Sequence, residues 1–241
     1  NTTAHDNTAV GYKSLNANTT GYYNVGVGNS ALAANTSAIK NTALGYRALA
    51  DNTTGHRNTA AGTDALLNNT TGAYNSAFGQ DAMGLNTTGA NNTALGRATL
   101  YTNSTGSNNI AIGYNALNAS QTADDNTGIG YRTLVANTTG IRNVGVGNSA
   151  LGAITTASNC TAVGYKALNT TTQGNLTAVG AYALDANTTG DNCVAVGYAA
   201  LTANTTGGSN TAVGYEAMAA NTTGGNNTAV GRLALDANTT G

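Results

Sequence analysis

An all-β parallel solenoid is the fold this sequence predicts, and three observations predict it: a marker glycine that returns every 17 residues, columns of like residues down those returns, and a composition unlike that of a mixed domain. Asn (36), Thr (42) and Gly (32) fill 110 of 241 positions, while charged residues make up 8% and Pro and Trp are absent. With a formal net charge of -1 and no clustered Lys and Arg, the chain lacks the footprint of a nucleic-acid binder. No stretch approaches the ~18 consecutive apolar residues of a membrane-spanning helix.

The marker is the Gly of an Ala-Val-Gly-Tyr-like segment. It stands at Gly11, Gly28, Gly45, Gly62, Gly79, Gly96, Gly113, Gly130, Gly147, Gly164, Gly180, Gly197, Gly214 and Gly231, and every interval is 17 except the 16 between Gly164 and Gly180. Fourteen coils result, residues 1–241 forming one repeat array. A second level of repetition lies above the first, because Asn24 to Leu32 returns unchanged as Asn143 to Leu151. Block duplication explains both levels.

Each coil opens on Thr-Ala-Val-Gly-Tyr, whose β-branched residues and alternation read as a short strand. Ala-Leu-x-Ala follows, and although its residues prefer helix, 17 residues are too few for a strand plus a full helix. It is therefore expected to be a second strand. Asn-Thr-Thr-Gly closes the coil with residues that tolerate a tight turn. Stacked at the ~4.8 Å strand spacing, fourteen such coils would make a rod of roughly 65 Å.

Two columns are always apolar: the residue before the marker (Val10, Val27, Leu44, Phe78) and the Leu or Met four after it, from Leu15 to Leu235. Both are expected to fill the coil. Neighbours in a strand point to opposite faces, so the Ala9 and Ala31 columns would then lie outside as apolar stripes. Stripes of that length exceed what monomers usually expose, and self-association follows as an expectation. The terminal coils show ordinary core residues and no polar cap, so the array is expected to be an internal segment of a longer fibre.

The pattern Asn-x-Ala-x-Gly-x-x-Ala, as in Asn41 to Ala48 and Asn109 to Ala116, resembles the head repeats of YadA-like trimeric autotransporter adhesins. The Asn-Thr-Thr-Gly extension is similar to arrays in phage tail-fibre proteins. The resemblance covers essentially the whole chain and implies a left-handed parallel β-roll, a homotrimer of chains side by side, and an adhesive role at a cell or virion surface, while the uncapped ends add end-to-end filament assembly as an alternative expectation. The 17-residue period departs from the family's shorter one.

Catalysis needs convergent unlike groups, which so regular a repeat does not offer, so the chain is expected not to be an enzyme. His5 and His56 have no Cys or second His at ligand spacing, and the nine Asp are scattered among columns, so neither a metal site nor a calcium ladder is expected. Gly26-Val-Gly28-Asn-Ser-Ala31 matches a dinucleotide fingerprint only because the columns generate it, without the helix and acidic partner that the motif requires. No cofactor is expected.

Three surface chemistries remain. Nineteen positions satisfy Asn-x-Ser/Thr, and Asn18, Asn35, Asn52, Asn69, Asn86, Asn103, Asn137, Asn187, Asn204, Asn221 and Asn238 share one turn column. They read either as glycan attachment sites or as a stacked amide ladder. Tyr12, Tyr46, Tyr114, Tyr131, Tyr165, Tyr198 and Tyr215 follow the marker and suit contact with sugars or a partner surface. Thr-Thr pairs invite an ice-binding reading, although adjacent Thr in a strand cannot line one plane. The leading expectation is thus a structural extracellular fibre segment, and its alternative is a glycan- or ice-binding solenoid module. Cys160 and Cys193 occupy one Asn-rich column two coils apart, ~9.6 Å by strand spacing, too far for a disulfide.

Overall fold

The computed structural model describes residues 3–241, which form a parallel β-solenoid of fourteen strands with no helix among the described residues. Two compact units divide the chain, the first ending at Asp124 and the second spanning Asp125–Gly241. The first carries β1 (Thr8–Val10), β2 (Val25–Val27), β3 (Thr42–Leu44), β4 (Thr59–Ala61), β5 (Ser76–Phe78), β6 (Thr93–Leu95) and β7 (Ile110–Ile112). The second carries β8 (Thr127–Ile129), β9 (Val144–Val146), β10 (Thr161–Val163), β11 (Thr177–Val179), β12 (Val194–Val196), β13 (Thr211–Val213) and β14 (Thr228–Val230).

Within each unit, consecutive strands pair in parallel, each residue opposite its counterpart one coil on. Thr42, Ala43 and Leu44 face Thr59, Ala60 and Ala61 in the first unit, and Thr211, Ala212 and Val213 face Thr228, Ala229 and Val230 in the second. The 16-residue return leaves this register intact, since Thr161 still faces Thr177. The missing residue is absorbed between strands.

Each coil has one strand, not two. The Ala-Leu-x-Ala segment runs in turns, yet its backbone is still bonded to the next coil: the Leu32 N–H donates to the Ala48 carbonyl at 3.1 Å, and Ala34 to Ala50 at 2.8 Å. Backbone groups that a turn leaves unpaired are thereby satisfied by stacking. What prevents a second strand is left-handed backbone. In one coil Ser30 (φ 59°), Leu32 (φ 52°) and Lys40 (φ 59°) all adopt it, and their columns do so in every coil. A bulky side chain there costs about 1–3 kcal/mol, and the bonds to neighbouring coils hold it in place.

The same conformation overturns the expected parity. Ala31 and Leu32 are adjacent in sequence, yet both are fully buried, because the left-handed Leu turns its side chain to the same side as the Ala. The Leu and Met column is core, as expected. The column before the marker is not: Leu44 is 54% and Phe78 41% exposed, whereas Ala43 and Ala77 are fully buried. The apolar stripe on the outside is therefore Val, Leu, Ile and Phe, and the interior is Ala and Leu. A coil this slender accepts only a small residue from the strand once the Leu column is inside. At two coils the sizes are matched, Ser14 and Thr133 replacing Ala where the next coil offers Gly26 and Gly145, whereas Thr99 is buried before a coil that keeps Ala111. A Cβ on Gly26 would lie 2.6 Å from the Ser14 Oγ, and one on Gly145 2.5 Å from the Thr133 Cγ2.

Two asparagine ladders replace the missing apolar volume. In the strand-entry column the Asn41 N–H donates to the Asn24 Oδ1 at 3.0 Å, and the Asn41 Nδ2 donates to the Gly55 carbonyl at 2.9 Å. In the turn column the Asn69 Nδ2 donates both to the Asn52 Oδ1 at 2.8 Å and to the Gly72 carbonyl at 2.9 Å. Buried amides are tolerable only when satisfied in this way. In the first unit the turn ladder stops at Asn103, whose Oδ1 has no donor, and the next member of the column, Ser120, has an unpartnered Oγ. A Ser120→Asn variant should complete the ladder and stabilise the first unit by about 1 kcal/mol. Denaturant midpoints of the two proteins check this, an unchanged or lowered midpoint counting against it.

Candidate functional site

The surface with the most chemistry is the outer face of the strands. Except in β1, which is exposed throughout, each strand presents its first and third residues outward and buries its second, as the Thr42–Leu44 and Thr161–Val163 strands show. Thr or Ser fills the first outward column in ten strands and Val or Ile in four, and Val, Leu, Ile or Phe fill the second except at Ala61. In the first unit Val10, Leu44, Phe78 and Leu95 are exposed, and in the second Ile129, Val163, Val179 and Val230. Continuous aliphatic rows of this kind are contact surfaces more often than free ones.

Beside that face lies the tyrosine column. Tyr12, Tyr46, Tyr114, Tyr131, Tyr165, Tyr198 and Tyr215 are all exposed, as expected for positions where the sequence accepts anything. They are not isolated rings. Lys13 lies 5.4 Å over the Tyr12 ring, Arg47 5.3 Å over Tyr46, and Lys166 5.5 Å over Tyr165. In the second unit Tyr165, Tyr182, Tyr198 and Tyr215 form a run with successive centroid separations of 5.2, 6.0 and 5.4 Å. Arg47 also pairs with Asp64 one coil on at 2.8 Å, which holds its guanidinium above its ordinary pKa.

The candidate glycan acceptors lie elsewhere than a glycan requires. Asn35, Asn52, Asn69, Asn86, Asn103, Asn137, Asn187, Asn204 and Asn221 are fully buried, Asn18 nearly so, and Asn238 partly so. The Nδ2 that would carry the sugar donates inside the coil, as in Asn137 to the Gly140 carbonyl at 2.9 Å and Asn204 to the Gly207 carbonyl at 2.9 Å. The folded coil has no room for a glycan on the fully buried asparagines. The geometry is that of the amide ladder. The pairs Thr53–Thr54, Thr70–Thr71 and Thr87–Thr88 are likewise divided: the first hydroxyl bonds to the next coil, Thr53 Oγ1 to the Thr70 carbonyl at 3.0 Å, while the second Thr is exposed.

No protein-family model, curated protein or solved structure matches the chain. No family is therefore assigned. What stands is a parallel solenoid of ~17-residue repeats with asparagine ladders.

Cys160 and Cys193 are free and fully buried in the strand-entry ladder. Each thiol takes over an Asn donation, Cys193 Sγ approaching the Gly207 carbonyl at 3.3 Å and Cys160 Sγ the Gln173 carbonyl at 3.4 Å. Burial raises both thiol pKa values, so the unreactive protonated form prevails. Thiol titration of the native chain should therefore find neither cysteine within minutes, and both should react once denaturant unfolds the coil. A native thiol that reacts as fast as free cysteine would contradict the ladder. Among the described residues no cluster of His, Cys, Asp and Glu has the makings of a metal site. His5 is exposed and paired with Asp6 at 2.8 Å, and His56 packs edge-on to Tyr74.

Proposed function

We propose that the chain is a structural segment of an extracellular fibre, assembled from copies of itself and adhesive at a cell or virion surface. The observation that carries this reading is the outward aliphatic column, repeated coil after coil within each unit, which single chains do not leave in water. A second copy offering the same face covers it best, because parallel coils repeat their rows at one spacing and identical rows match. Three chains is the expected number. The low charge of the strand face favours this association, since few charges must be desolvated to form it.

Sedimentation velocity tests the assembly. The wild-type chain should sediment as an oligomer at micromolar concentration, and a Leu44→Lys, Leu95→Lys variant should sediment as a monomer with an unchanged circular dichroism spectrum. Because both side chains are exposed, the substitutions should alter the stability of the isolated chain by no more than about 0.5 kcal/mol each. A wild-type chain that stays monomeric would refute the reading. A glycan-binding role is the second reading, favoured by the exposed tyrosines with cations over their rings.

A further inference from the structure

One turn column of the first unit carries an aromatic ring at three of its first four coils. The column runs His5, Tyr22, Ile39, His56, Ala73, each residue 17 after the last. His5 lies parallel to Tyr22, with centroids 5.0 Å apart and planes 14° apart. At Ile39 the ring is missing. Tyr22 and His56 are two coils apart, ~10 Å by strand spacing, and between them lies an open cleft of about 430 Å3 lined by Tyr22, Ile39, His56, Ser37, Thr54 and Arg57 among others.

The cleft has the parts of a small-molecule site. Its volume falls at the lower end of the roughly 300–1,000 Å3 usual for such pockets. One face of Tyr22 is covered by His5, which leaves the other turned toward the gap. Ile39 gives an apolar floor, and the exposed Ser37 and Thr54 put hydroxyls at the rim. The cationic group is Arg57, held in left-handed backbone (φ 57°) and fixed by Tyr74, whose hydroxyl accepts a hydrogen bond from its Nη1 and whose ring lies 5.2 Å beneath the guanidinium. An arginine has five N–H donors, so others remain for a ligand. No carboxylate lines the cleft.

We propose that this notch binds one ring of an acidic saccharide, a uronate-type residue stacked on Tyr22 with its carboxylate on Arg57. A pyranose presents an apolar C–H face that packs against an aromatic ring, its hydroxyls suit Ser37 and Thr54, and a carboxylate matches the planar guanidinium bidentately. The ligand ring lies over Ile39, between Tyr22 and His56. This inference deepens the adhesive reading, and rests on it for the saccharide being one displayed on a surface.

Saturation-transfer NMR and calorimetric titration of the full chain with trigalacturonate, and with neutral galactotriose in parallel, test it. Trigalacturonate should bind at one site per chain and more tightly than galactotriose. Arg57→Gln should weaken trigalacturonate at least tenfold, and Ile39→Tyr, which restores the missing ring, should abolish its binding while circular dichroism and sedimentation stay as in the wild type. No saturation transfer to trigalacturonate at millimolar concentration, equal affinity for galactotriose, or undiminished binding by either folded variant would overturn the proposal. The two readings fail separately. Surface attachment that persists in Ile39→Tyr removes the notch and leaves adhesion standing, whereas saccharide binding by a chain that neither assembles nor attaches removes the fibre reading alone.

Discussion

A Leu100→Asp substitution should unfold the first unit under conditions where the wild type is fully folded. Leu100 is completely buried in left-handed backbone, and its N–H bonds to the Ala116 carbonyl at 3.1 Å, so the new side chain has no route to water without breaking a coil-to-coil bond. An uncompensated buried charge of this kind costs about 3–5 kcal/mol, and the lost leucine burial adds about 2 more. In a stack where each coil is supported by its neighbours, such a loss propagates beyond one coil. Circular dichroism melting should show a lost or greatly lowered transition. A melt indistinguishable from wild type would place the leucine column outside.

Gly62→Ala should be nearly as severe, although it adds only one methyl. Gly62 sits at φ +141°, which side chains rarely adopt, and a Cβ there would lie 2.5 Å from the Gly79 carbonyl oxygen and 2.6 Å from its carbon. Both obstacles are backbone, so nothing can rotate aside. The strain alone costs about 1–3 kcal/mol, and relieving the contact means separating strands that pair residue for residue. A fall in stability of about 4 kcal/mol or more is expected, read from urea midpoints. By contrast, Ala61→Ser, one residue earlier on the outer face, should change the midpoint little.

The period, the strand, its register and the leucine column were legible in the sequence because each follows from repetition alone. So was the choice that the turn asparagines faced, between glycan acceptors and an amide ladder, which the buried Asn52 to Asn69 contact decides for the folded coil. The side of the coil on which each strand residue lies was misread. Constant apolarity suggested that the column before the marker was core, and strand parity then sent alanine outside. Leucine is not a residue whose propensity announces left-handed backbone, so nothing local warned that Ala31 and Leu32 would share a side. A usable signal was nonetheless present: the outer column tolerates Ala61 next to Phe78, while the inner one accepts only Ala or Gly. Variation in size marks a surface with no wall opposite, and uniform smallness marks an interior. The notch escaped notice for a related reason, since Ile39 is an ordinary turn residue until stacking sets it between Tyr22 and His56.

Thiol labelling of Ala94→Cys and Leu95→Cys bears most directly on the claim that the strand's small residue faces in and its large one out. The two native cysteines are buried and should stay silent, so each variant reports one position. At nanomolar concentration, where copies do not cover the face, Leu95→Cys should react with a maleimide at nearly the rate of a free thiol. Ala94→Cys should be slower by a factor of a hundred or more. Equal rates, or faster labelling of Ala94→Cys, would contradict the account.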